Sequence, residues 1–350
     1  MKRVVRYDLL RIAACFAIVL LHVSNSYWYT VDVNSQDFVT MTIYNSLTRF
    51  GVPVFFMLSG LFLLDPEREF QVGKWGKKLL RLAVGFFLWS LFYAFQSILF
   101  HGFFHGWGSV TREMWWDGVV RLLRGHGHMW FLWDLFGFYL LLPILRKVCE
   151  DIKVLGYFLL LWVIVRFVVV TILPGVGGGM FLATVTNMHL YMLTGYIGYF
   201  LGGYYLSRVT IPRWGRGLVY GAGMGALVFT MVKTIADCRT TLSYDDHWFL
   251  PSNTNVLLLS IAMFIFFQYR KLPGRIENGK WVPAMAKCTF FVYMIHPFFI
   301  EKLNLLGIKV IAYPVVVSIP VMTIGIFAVA MMLGWAVGKI PVVGKWVTIQ

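Results

Sequence analysis

Long apolar runs, each closed by a short polar stretch, repeat along the chain from end to end. A helix needs ~20 mostly apolar residues to cross the hydrocarbon core of a bilayer. On that rule about ten segments are expected to span. They lie near Leu9–Trp28, Leu47–Leu64, Leu82–Phe100, Met129–Leu145, Val154–Leu173, Val185–Leu206, Leu218–Ala236, Asn255–Phe267, Ala286–Ile300 and Val315–Val337. The eighth and ninth are short, which predicts breaks or tilt there. Between the third and fourth, Thr111–Arg124 mixes Trp, Val and Leu with Arg and Glu at helical spacing, the pattern of a helix lying in the interface. No Ser/Gly-rich linker, heptad run or long hydrophilic segment divides the chain. Residues 1–350 are therefore expected to form one integral-membrane domain, an all-α polytopic transmembrane helical bundle.

Composition strengthens this pattern. The chain is 59% hydrophobic and 13% charged, with a mean hydropathy of +0.71, whereas soluble domains have roughly 45–50% apolar and about 25% charged residues. Thirty-one Phe, 17 Tyr and 14 Trp exclude a disordered chain. A net charge of +15 would point to nucleic acid in a soluble protein. In a chain this apolar it fits basic loops facing an anionic leaflet, so membrane lipids and not nucleic acid are the expected surroundings. Placing the N-terminus inside gathers most Lys and Arg on one side, which predicts cytoplasmic termini and an even number of spans. The start, MKRVVR before an apolar run, imitates a secretory signal, but Arg11 and His22 interrupt that run. On this topology Cys15, Cys149, Cys238 and Cys288 fall in different settings, and no disulfide is expected.

Ionisable groups inside spans are costly and mark functional sites. Arg11 and His22 are separated by eleven residues, which on a helix is a rise of ~16 Å and three turns plus roughly 20°. Both side chains therefore share one stripe, with Asp8 one turn before Arg11. The spacing alone also fits a snorkelling arginine and a packed histidine. His128 and His296 are expected at the same outer level as His22, and Trp130 beside His128 at the interface. Asp134 and Arg166 fall at similar depth on successive spans, which predicts a structural ion pair between them. The cation cluster Lys74, Lys77, Lys78 and Arg81 near Arg11 suits a polyanion such as the phosphates of coenzyme A, and equally an ordinary positive-inside loop. Cysteine ligand pairs and close His-x3-His spacing are absent, so no metal is expected. Gly221 and Gly225 are expected to form a small-residue packing face, Ser59 and Gly60 another, and Pro174 with Gly177-Gly178-Gly179 an outer turn.

Several stretches resemble the membrane-bound acyltransferase family 3. YDLLRIAACFAIVLLH is similar to that family's first helix, TRFGVPVFFMLSGLFLL to its second, GHMWFLWDLFGFYLLLPIL to its His-x-Trp-Phe helix and FFVYMIHPFFI to its Tyr-x-x-His stretch. They occur in family order over nearly the whole chain, and the length looks most like the single-domain O-acetyltransferases of the family. The resemblance implies transfer of an acetyl (or other acyl) group from acetyl-CoA to a hydroxyl of a cell-envelope polysaccharide or lipid-linked glycan, at a bacterial cytoplasmic membrane. It implies that Arg11 and His22 are the essential pair, and that Lys78 and Arg81, with Lys77 beside them, hold the coenzyme's phosphates. Lysine at 78 replaces the family's arginine and removes a bidentate contact. Arg49 matches a basic residue of the second-helix motif, as an oxyanion stabiliser or anion grip. His22 would serve as base or transient acyl carrier. A transporter or flippase with an Arg/His-lined path is the alternative, which weak repetition between the halves disfavours.

Overall fold

A computed structural model describes residues 4–167, 183, 187–341 and 343–348, and among them every regular element is helical. Twelve helices carry the architecture: α1 Val5–Asn25, α2 Gln36–Thr48, α3 Gly51–Leu63, α4 Val72–His105, α5 Arg112–Arg124, α6 Trp130–Val148, α7 Ile152–Val163, α8 Ile197–Arg208, α9 Arg213–Thr241, α10 Thr254–Tyr269, α11 Trp281–Leu305 and α12 Val315–Gly338. Eight helical stretches among the described residues are long and apolar enough to cross a membrane. These match eight of the ten expected spans. The fifth and sixth expected spans run partly through residues outside the described ones, as does the turn expected at Pro174 and Gly177–Gly179.

Local chemistry explains the element ends. Ser35 caps α2 by accepting from Phe38 N–H at 3.1 Å, and Thr111 caps α5 through Met114 N–H at 3.4 Å. Gly125, at φ 78°, turns the chain out of α5, a conformation that a side chain would oppose. The stretches expected to be short are in fact long: α11 has 25 residues, and the span containing α10 has 23. Polar Asn255, Lys287 and Glu301 shorten the apolar run without ending the helix, because hydrogen bonds continue through them. The second span is interrupted: α2 stops at Thr48, and Arg49 and Phe50 link it to α3.

Helix α1 sits at the centre, against α2, α3, α10, α11 and α12. Its neighbour α11 runs parallel to it. Cys15 meets the Thr289 carbonyl, seven residues on His22 meets His296, and Tyr27 donates to Asn304 at 3.2 Å. The equal seven-residue step on both helices keeps two stripes aligned over about two turns.

Lipid tails are as apolar as leucine, so tight association in a bilayer rests on close packing of small residues. A methyl at Gly60 of α3 would stand 1.7 Å from the Phe200 carbonyl oxygen of α8, and one at Gly203 would stand 1.9 Å from that of Met57. The Ser59-Gly60 expectation is thus met by Gly60. The expectation for Gly221 and Gly225 is corrected. Nothing lies within 4 Å of either Cβ position, and it is Gly223 that meets Ala262, at 2.4 Å. Two residues on a helix are 200° apart, so a face read one step off points to the opposite side. The buried face of α9 is Gly223, Ala226, Leu227, Thr230, Thr234 and Cys238.

Candidate active site

Two regions of the bundle gather the polar residues. Toward the N-terminal end of α1, a cavity of about 340 Å³ is bordered by Arg11 of α1, Lys78 and Arg81 of α4, and Tyr139 of α6. It continues between apolar walls to Ile18, Phe131 and Tyr293. Arg11 carries its guanidinium 5.2 Å from the Phe62 ring. Lys77 borders neither this cavity nor its neighbour, and it is exposed. One position along a helix turns a side chain by 100°, so Lys78, also exposed, borders both cavities and Lys77 does not. Asp8 is buried one turn before Arg11.

One turn beyond Ile18 stands His22, and there the histidines gather. The His22 and His296 rings lie 4.8 Å apart in an edge contact, His296 and His128 5.6 Å, and His128 and His126 5.0 Å. His126 continues the row to the carboxylate of Glu301 at 3.1 Å, which Gln96 also meets at 3.3 Å. Tyr93 stacks on His126 at 4.4 Å and donates its hydroxyl to the Met294 carbonyl. The Tyr293 hydroxyl donates to the backbone carbonyl of His128 and so ties α11 to the start of α6.

The partners fix the tautomers. His22 Nδ1 lies 2.9 Å from the Ile18 carbonyl oxygen, and His296 Nδ1 lies 2.7 Å from that of Tyr293. Carbonyl oxygens only accept, so each Nδ1 carries the hydrogen and each Nε2 keeps its lone pair. His126 donates from Nε2 to Glu301, and its Nδ1 lies 2.8 Å from Nδ1 of His128. The Nε2 atoms of His128 and His296 are buried without a hydrogen-bond partner. In its neutral form an imidazole whose Nδ1 hydrogen is spent on a carbonyl keeps a lone pair at Nε2 that can take a proton from a hydroxyl. No group of metal ligands forms among the described residues.

Arg49 adds a cation at this level. It occupies the break between α2 and α3, donates to Asn45 and to the Phe249 carbonyl, and lies 4.0 Å over the Phe249 ring. Asn45 in turn donates to Asn25 at 2.9 Å, next to the end of α1. The Nε of Arg49 is buried without a partner, and His22 is within electrostatic reach. Above it, outside the spans, Tyr29 donates to Asp246 at 2.8 Å. Burial and this contact push the Tyr29 phenol up to about 12, so it stays a donor at neutral pH.

The remaining sequence candidates fall outside the row. Trp130 is 39% exposed and packs on Tyr196 at 5.2 Å, at the periphery. Asp134 and Arg166, expected to pair, are each within electrostatic reach of Tyr196. Sequence reasoning missed His126, Glu301, Gln96 and Tyr93. A signal existed in His126-Gly127-His128 and in Glu301 five residues after His296.

Residues 4–337 match the model of an acyltransferase domain, the acyltransferase 3 type. The chain belongs to that family. It is a multi-pass membrane acyltransferase. No curated protein and no solved structure matches it.

Proposed function

We propose that this acyltransferase moves an acetyl group from acetyl-CoA to a hydroxyl of a cell-envelope polysaccharide or lipid-linked glycan, across a bacterial cytoplasmic membrane. The observation that carries the reading is the cavity with Arg11, Lys78 and Arg81 at one end and Ile18 and Tyr293, beneath the histidine row, at the other. Cations at the mouth suit phosphates, and apolar walls beyond suit the thin pantetheine arm. Arg11, Lys78 and Arg81 position the donor, and its thioester reaches toward His22.

In the reaction, Nε2 of His22 takes the acceptor hydroxyl's proton as that oxygen bonds to the thioester carbonyl carbon. The carbonyl oxygen gains negative charge, which Arg49 stabilises. The C–S bond then breaks, the thiolate leaves with the electron pair, and the imidazolium returns the proton to it. The products are the ester and free coenzyme A, with His22 neutral again. His296 and His128 fix the polarity around His22, and His126 anchors the row on Glu301.

The test uses purified protein, labelled acetyl-CoA and a mixture of envelope glycans. His22→Ala is expected to lower label transfer by roughly 10²–10⁴-fold, the contribution of a positioned base. Trp335→Ala, at a side chain 56% exposed on the bundle exterior, is expected to leave it unchanged. Full transfer by the His22 variant would refute the assignment.

A further inference from the structure

A second cavity, of about 400 Å³, adjoins the first and shares Lys78 with it. Its walls come from the connection between α3 and α4, from the first turns of α4 and from the end of α6. Arg68, Lys74 and Arg146 face it together with Lys78, and Glu69 is the one acidic residue on its border. Asp65 beside it bridges Arg208 at 2.7 Å and Arg68 at 3.2 Å. On the cavity's own border four cations stand against one carboxylate.

Aromatic rings complete it. Phe70 and Trp75 stand 6.1 Å apart, and the Arg146 guanidinium lies 5.4 Å from the Phe70 ring while donating to the Arg68 carbonyl. Trp75 is held in place by its indole N–H, 2.7 Å from the Tyr139 carbonyl oxygen. Tyr139 also lines the first cavity, so the two walls are one construction. Cations beside planar rings are the combination that holds a phosphorylated nucleotide: charge-assisted contacts take the phosphate and an aromatic or guanidinium face takes the base. A pocket for acyl chains would have no use for four cations.

We infer that this second cavity seats the adenosine 3′-phosphate end of the coenzyme A thioester, with Lys78 at the junction holding the diphosphate where the cofactor turns into the first cavity. The inference rests on the donor proposed above. To Lys74 and Lys78, already expected to suit coenzyme phosphates, it adds Arg146, Arg68, Trp75 and Phe70 as binding residues. They touch only the part of the donor remote from the thioester, so their effect falls on binding and not on the chemical step.

The experiment compares acetyl-CoA, acetyl-3′-dephospho-CoA and S-acetylpantetheine as donors for the full-length protein in neutral detergent. Wild-type kcat/KM is expected to fall along that series. Arg146→Ala and Trp75→Leu are each expected to lower kcat/KM for acetyl-CoA about tenfold or more through KM, the scale of a lost contact to a charged group. With S-acetylpantetheine both variants should match the wild type, which also shows that they are folded. Equal loss with all donors, or no loss with any, overturns the inference while leaving acetyl-CoA as donor. Turnover of none of the three by the wild type overturns the donor assignment itself, and this inference with it. An anionic lipid headgroup offers the same phosphate chemistry, so a second arm adds phosphatidylglycerol. If Arg146→Ala abolishes stabilisation by that lipid and leaves binding of labelled coenzyme A unchanged, the cavity is a lipid site and the inference fails.

Discussion

At the scale of single residues, the site is a matter of which atom of each side chain is already committed. His22 and His296 spend Nδ1 on the carbonyls of their own helices. Each Nε2 is left as an acceptor, and no external partner is needed to hold the ring. His126 works differently, since it links a buried imidazole to a carboxylate that is 39% exposed. The pair acts as a unit, so its two members should not contribute independently. We expect His126→Phe and Glu301→Gln each to lower kcat/KM by roughly tenfold, within the range for coupled polar neighbours, and the double variant to do no worse than the more damaging single one. Additive losses in that double-mutant cycle would show that the row ends at His128. Histidine at 22 and arginine at 11 were legible from spacing on one helix. Glu301 was not, because its partner lies 175 positions away in sequence and no periodicity connects them.

At the scale of elements, packing depends on a few glycines that let backbones touch. Helices α3 and α8 approach until the carbonyl oxygens of Met57 and Phe200 fill the space that side chains at 203 and 60 would need. Backbone cannot move aside as a flexible side chain can. Gly60→Ala is therefore expected to cost about 1–3 kcal/mol or more, seen as a lower melting temperature of the detergent-solubilised protein. Gly221→Ala, which meets nothing within 4 Å, should be neutral or slightly stabilising. Matching melting temperatures for the two variants would contradict the assigned packing. The apolar pattern identified α9 as a helix but could not tell Gly221 and Gly225 from Gly223, since both faces are rich in small and apolar residues. In lipid both faces of a helix are apolar, so the amphipathic signal that orients helices in water is weak.

At the scale of the whole molecule, the cavity proposed for the donor and the histidine row lie at different levels of α1. Eleven residues, a rise of ~16 Å, separate Arg11 from His22. The cavity covers the part of that distance from Arg11 to Ile18, one turn short of His22. This predicts sidedness: in sealed vesicles of one orientation, acetyl-CoA should support transfer only from the side of Lys78 and Arg81. Acceptor glycan should be modified only on the opposite side. The measurement is label incorporation with each reactant enclosed or added externally. Transfer with both reactants confined to one side would rule out a transmembrane route.

Composition and periodicity by themselves determined that this chain is a bundle of membrane-crossing helices. They also placed a charge and an imidazole on one stripe of the first helix, because helix formation and burial in lipid are decided within twenty neighbouring residues. Tertiary structure alone decided which stripes face one another. It set α1 parallel to α11, so that His22 meets His296, and brought His126 and Glu301 to extend the row. It also set Lys78, and not Lys77, on the border of both cavities. Those outcomes depend on helix rotation and on contacts between residues far apart in sequence, which the identity of neighbouring residues does not encode.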